Sequence, residues 1–127
     1  MEKYTVYGTK SIPKLVAEEE TFNPGHRACI GCGEVLAMRL ACKALGDNII
    51  VVIATGCMEI VSSQLPYTSW SVPSIHTLFE NTAAVASGIE AGLKIMTKKG
   101  RRLPSDTKVV AMAGDGGTSD IGLQGTL

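Results

Sequence analysis

The stretch "NIIVVIATGCMEI", residues 48–60, decides the fold. Its first seven residues form a continuous apolar run rich in β-branched side chains, the pattern of a strand buried on both faces. A second run of the same kind, "KVVAMA", occupies 108–113. Helical spacing precedes the first run. From Gly33 to Leu45, Leu36, Leu40 and Ala44 form one stripe, Val35, Met38, Cys42 and Leu45 widen it, and Gly46 supplies the stop. Helical spacing returns from Asn81 to Lys99, where Ala83, Ala86, Ile89, Leu93 and Met96 share a face and Asn81 is the candidate cap. Alanines and glycines at 83, 84, 86, 88, 91 and 92 make this helix thin enough for another backbone to come close. Residues 64–78, with Pro66 and Pro73, read as a loop. Residues 1–25 read as an irregular N-terminal arm and 26–127 as the N-terminal part of one domain. Helix, strand, helix, strand, glycine turn and helix predict an α/β fold with a parallel sheet flanked by helices. In open sheets of that kind ligands gather at the C-terminal ends of the strands.

The totals narrow the function classes. The chain has 127 residues, enough for one domain with a real core. Twelve basic residues balance twelve acidic ones, which leaves no global charge to favour nucleic acid or a membrane surface. The local cluster Lys94, Lys98, Lys99, Arg101 and Arg102 reads as a solvated helix terminus, where cations meet the negative end of the helix dipole. The longest apolar run, Ile49–Ala54, is far too short to span a bilayer, and the N-terminus lacks the apolar segment of a signal peptide. The expected compartment is the cytoplasm. Four cysteines there read as metal ligands, catalytic groups or core residues before disulfides.

Two constellations carry chemistry. "AGDGG" (113–117) follows the second strand, so bare backbone N–H groups face an anion and Asp115 sits among them. A carboxylate beside phosphates calls for a bridging cation, and Mg²⁺ suits one carboxylate plus phosphate oxygens. Asp120 in the following turn adds to that reading, while a turn that uses Gly and Asp only for its backbone shape is the plainer one. The other constellation is "GHRACIGCGE" (25–34). Cys29 and Cys32 are spaced for one metal centre, and Cys57 returns 25 residues later from a strand end. With His26 as fourth ligand the set would suit structural zinc. An iron–sulfur cluster wants four cysteines, and the remaining one, Cys42, lies on the apolar stripe of a helix and reads as core. A redox dithiol fits less well because the pair follows an arm rather than a strand. His76, among Trp70, Ile75 and Phe79, reads as a packed, hydrogen-bonded histidine.

Over nearly all of 22–127 the sequence resembles the β subunit of 2-oxoacid:ferredoxin oxidoreductases, most closely the pyruvate type. The blocks "PGHRACIGCGE", "ATGCMEI", "PYTSW", "IHTLFENTAAVASGIEAG" and "AGDGGTSDIGLQ" carry the resemblance in order. It implies a thiamine-diphosphate-binding fold, thiamine diphosphate held through Mg²⁺, and a [4Fe–4S] cluster that passes electrons to ferredoxin. Pyruvate would be decarboxylated oxidatively to acetyl-CoA and CO₂ with coenzyme A, or the reverse, in a complex with α and other subunits. By the resemblance Cys29, Cys32 and Cys57 are cluster ligands, and Glu34 contacts the thiamine cofactor with Cys57 close to it. Gly114, Asp115, Gly116 and Gly117 form the diphosphate turn with Asp115 on Mg²⁺. The family's fourth cysteine and second Mg²⁺ ligand would fall beyond Leu127, so the chain is expected to be a partial subunit, inactive alone. The alternatives are a non-catalytic zinc module built on Cys29, Cys32, Cys57 and His26, and an inactive fragment without cofactor.

Overall fold

The computed structural model describes residues 19–127 apart from Leu65, Arg102, Leu103 and Ser105. Most of the N-terminal arm, and Arg102 of the basic cluster, lie outside the described residues. The order is α1 (Gly33–Leu45), β1 (Ile49–Ala54), α2 (Cys57–Ser62), β2 (Ser74–Thr77), α3 (Thr82–Lys98), β3 (Lys108–Met112), α4 (Asp115–Ser119) and α5 (Leu123–Thr126). The three strands form one parallel sheet in the order β2-β1-β3. The expected α/β fold, a parallel sheet flanked by helices, is what the chain adopts.

β1 is central, which explains its unbroken apolar run. Ile49, Val51 and Ile53 turn to one face and join Val35, Met38 and Cys42 of α1 in the core, with Met112 of β3 beside them. The alternate residues Val52 and Ala54, also buried, turn to the other face, where α3 packs against β1 and β3. α1 ends where Gly46 takes a positive φ of 81°, a conformation open to glycine at little cost.

Five expectations need correction. The buried stripe of α1 is Val35, Met38 and Cys42, whereas Leu36 and Leu40 are 53% and 51% exposed and Ala44 is exposed too. Both stripes have helical spacing, and only the position of β1 decides which one is covered. Met38→Ala should therefore cost about 2–5 kcal/mol in urea unfolding, against about 0.5 kcal/mol or less for Leu36→Ser or Leu40→Ser.

β3 is not buried on both faces. Among the described residues it is an edge strand, with Lys108 and Ala111 exposed and Met112 buried. The segment read as a loop contains β2, whose four residues pair with Val51–Ala54 and of which only Thr77 is buried. So short an edge strand has no alternation to betray it. Finally, the glycine turn opens two short helices, not one, with the break at Asp120–Gly122. At α3 the side chain of Asn81 makes no capping bond, and the backbone carbonyl of Asn81 receives Val85 N–H at 2.8 Å.

The sheet's C-terminal edge is held by buried hydroxyls. Thr77 donates to the carbonyl of Ile53 at 3.1 Å, and Thr82 shares a 2.8 Å hydrogen bond with Thr77, joining β1, β2 and the start of α3. At the other side Trp70 meets Phe22 edge-on at 5.0 Å and donates its indole N–H to Ser62 Oγ at 3.0 Å. Phe22 and Trp70 also form an antiparallel bridge, so residues 21–23 lie against 69–71.

Glu20 ties this segment to α1. Hydrogen bonds from Arg39 and then Lys43 hold its carboxyl at about 2, below the ordinary 4.5. A depressed carboxyl contributes stability that is complete above about pH 4.5 and lost as pH falls through about 2. An acid titration of Glu20→Gln should accordingly be flatter than wild type between pH 4.5 and 2.

Candidate functional site

The singled-out residues gather at the C-terminal ends of the three strands and on the loop before α1. Cys29 and Cys32 sit at the two ends of a β-turn, in which Cys32 N–H bonds the carbonyl of Cys29 at 3.1 Å. Gly31, third in the turn, has φ 75°, the conformation that makes glycine the favoured residue there. Cys32 opens α1 as its N-cap residue and is half-buried, while Cys29 is exposed. Glu34 follows in the first turn of α1, exposed, where an acid suits the positive end of the helix.

Cys57 begins α2 immediately after the Thr55-Gly56 step that ends β1, and its thiol is exposed. A backbone bond from Arg27 N–H to the carbonyl of Val61, 3.0 Å, runs from the segment before the cysteine turn to α2. Cys32 and Met58 pack against the same core cluster. The cysteine turn and α2 are thus neighbours. The three thiols are not drawn into a closed set, however: among the described residues no three His, Cys, Asp or Glu side chains group as on a metal ion.

All four thiols are free. Cys42 differs from the others in being only 1% exposed, within the core. Burial pushes its thiol pKa up, against a lowering contact from Thr21. A thiol so placed is poorly available as a ligand. His26 is turned to a different task, stacked on Phe22 at 5.6 Å, with its Nδ1 accepting Ala28 N–H at 3.4 Å.

The glycine turn lies across the sheet edge. Gly114 is extended, Asp115 begins α4 with its side chain exposed, and Thr118 N–H closes the first turn on the carbonyl of Gly114 at 2.9 Å. The first N–H groups of such a turn have no intrahelical acceptor. Asp120 is exposed at the end of α4. Space is open around Gly114 and Gly116, but a Cβ on Gly117 would stand 2.6 Å from the carbonyl oxygen of Phe79. Gly117 therefore also has a packing role, letting the turn lie on the end of β2. Gly125 does the same on α3, where a Cβ would come within 2.8 Å of Ala84 N. This is the close approach that the small residues of α3 foreshadow.

Sequence reading missed one cluster. His76, expected to be packed, is hydrogen-bonded but 49% exposed in its side chain; Nε2 lies 2.7 Å from Thr55 Oγ1 and Nδ1 3.8 Å from Glu59 Oε1. Its partners flank Cys57 on each side. Only the parallel pairing of β2 with β1, which sets His76 beside Ile53, could have revealed it.

The residues fit the groups that the resemblance implies in kind, although among the described residues the three thiols do not group as on a metal ion. Accessible thiols stand on a turn and a neighbouring helix start, and an exposed carboxylate stands beside unsatisfied backbone donors at a strand end. Among the described residues no helix is long and apolar enough to cross a membrane.

No family model matches the chain. Comparison with known proteins does find relatives. Pyruvate synthase subunit PorB of Methanothermobacter thermautotrophicus is 54% identical over 109 residues, covering 86% of this chain and 36% of the relative. The PorB subunit of Pyrococcus furiosus is 49% identical over 119 residues, covering 86% and 34%. Ketoisovalerate oxidoreductase subunit VorB of Pyrococcus horikoshii is 48% identical over 106 residues, covering 84% and 34%. The chain spans about a third of the length of these curated relatives. By sequence, and with an α/β fold to match, the chain is similar over most of its own length to about a third of the length of the PorB subunits of pyruvate synthases.

Proposed function

We propose that the chain serves as part of the β subunit of a pyruvate:ferredoxin oxidoreductase, acting with α and other subunits to interconvert pyruvate with acetyl-CoA and CO₂. The observation that carries this reading is the 54% identity over 109 residues to a pyruvate synthase subunit. The gathering of the motif residues at one end of the sheet supports it. When bound, thiamine diphosphate would stabilise the charge left as a 2-oxoacid loses CO₂, and a [4Fe–4S] cluster would accept single electrons bound for ferredoxin.

The tasks of this chain's residues follow from their chemistry. Cys29, Cys32 and Cys57 supply soft thiolates to iron, two from a glycine turn and one from the start of α2. Asp115 supplies one hard oxygen to Mg²⁺, and Gly114, Gly116 and Gly117 bring bare backbone close to diphosphate oxygens. Glu34, exposed at the start of α1, is assigned to the thiamine cofactor. Cys42 stays in the core. The same reading puts the chain in the cytoplasm, where thiols are kept reduced.

The test is an anaerobic assay of the complex assembled with this chain, reading ferredoxin or viologen reduction that requires both pyruvate and coenzyme A. Reduction dependent on both supports the reading. Reduction with ketoisovalerate but not pyruvate would move the substrate to the branched-chain acids named for the VorB relative. Colourless protein holding one zinc per chain would favour the non-catalytic module.

A further inference from the structure

His76 reaches across from β2 to the turn that carries Cys57. The hydroxyl of Thr55 has a single proton, and its geometry directs that proton to the carbonyl of Thr77 at 3.0 Å. The 2.7 Å contact with His76 Nε2 is then a bond that Thr55 accepts, and the ring N–H is its donor. With Nε2 so fixed, Nδ1 faces Glu59 Oε1 at 3.8 Å, an ion pair whenever the ring is protonated. Thr55 lies two residues before Cys57 and Glu59 two residues after it.

Between these anchors the turn has little of its own to hold it. Gly56 has no side chain and open space around it, and Cys57 is exposed. The backbone bond from Thr55 N–H to the carbonyl of Thr77, 2.9 Å, secures only the start of the segment. We propose that His76 is a positioning residue, clasping the 55–59 segment from the neighbouring strand and so fixing where the Cys57 thiol stands. The importance of that position rests on the reading of Cys57 as a cluster ligand.

The test follows amide hydrogen exchange in the full chain and needs no iron. The reporter is Ile60 N–H, which bonds the carbonyl of Gly56 at 3.0 Å, inside the clasped turn. The reference is Val51 N–H, bonded to the carbonyl of Pro73 within the sheet. His76→Ala and Thr55→Val should each speed exchange at Ile60 by threefold or more relative to Val51. His76→Gln, whose side-chain N–H can replace Nε2, should return it to within threefold of wild type. A purely space-filling role would not show that rescue. Less than a threefold change in Thr55→Val, or no rescue by His76→Gln, overturns the proposal. Should His76→Ala unfold the chain, seen as equal loss of protection at Val51, the other two variants decide by the same thresholds. Cys57→Ser with iron analysis of the assembled complex tests the cluster reading separately, because its failure leaves the exchange result untouched.

Discussion

Gly122→Ala is expected to destabilise the chain by about 3 kcal/mol or more, at or above the upper end of ordinary overpacking. A Cβ at this position would stand 1.9 Å from the carbonyl oxygen of Gly117 and 3.0 Å from that of Glu80. Both obstacles are backbone, so no rotamer change relieves them. The break between α4 and α5 would have to open and the segment lift from Glu80, and the glycine turn with Asp115 would move with it. In a thermal melt the loss should lower the midpoint by roughly 10 °C. Gly88→Ala and Gly92→Ala provide the contrast, since both sites are exposed positions inside α3 with open space around them. There the same change should stabilise by about 0.5–1 kcal/mol, through helix propensity alone. A Gly122→Ala midpoint equal to wild type would show that the close pass at the sheet edge is wrong.

Asp115→Ala should have the largest effect on cofactor binding. Asp115 is exposed, and the hydrogen bond from Ser119 Oγ reaches its backbone carbonyl, not its carboxylate. Removing the side chain therefore leaves the first turn of α4 intact and takes away the carboxylate proposed to bind Mg²⁺. Residues that only orient a metal ligand cost about 10- to 100-fold in affinity when lost, so loss of the ligand should cost about 100-fold or more. Calorimetric titration of the assembled complex with thiamine diphosphate and Mg²⁺ measures it, with circular dichroism expected to stay unchanged. Binding reduced by less than about tenfold would remove Asp115 from the role assigned to it.

The sheet was legible where local pattern and burial agree. β1 is covered on both faces, so its composition alone announces it, and α1 and α3 begin and end within about a residue of their expected bounds. The errors have one physical source, which is that coverage is a property of neighbours. Leu36 and Leu40 carry helical spacing as good as that of Val35, Met38 and Cys42, yet β1 lies under the second set. β2 is marked by its pairing rather than by its residues, so His76 and its bonds to Thr55 and Glu59 stayed hidden with it. Gly117 was visible as a glycine of a turn, but the carbonyl that excludes a Cβ from it comes from Phe79 just past β2, and those that exclude one from Gly122 come from Gly117 and Glu80. The cysteine pair was visible as a pair, and the glycine turn that spaces it has the geometry its sequence suggests.

Cys29, Cys32 and Cys57 are proposed to hold an iron–sulfur cluster beside the sheet's C-terminal edge. Iron and acid-labile sulfide, measured on the anaerobically purified complex containing this chain, test it most directly when wild type is compared with Cys57→Ser and Cys42→Ser. Cys57→Ser should lose about four iron and four sulfide per chain, the content of one [4Fe–4S] cluster. Cys42→Ser, a core position, should keep them. Full iron in Cys57→Ser, or loss of the cluster in Cys42→Ser with the fold intact, would contradict it.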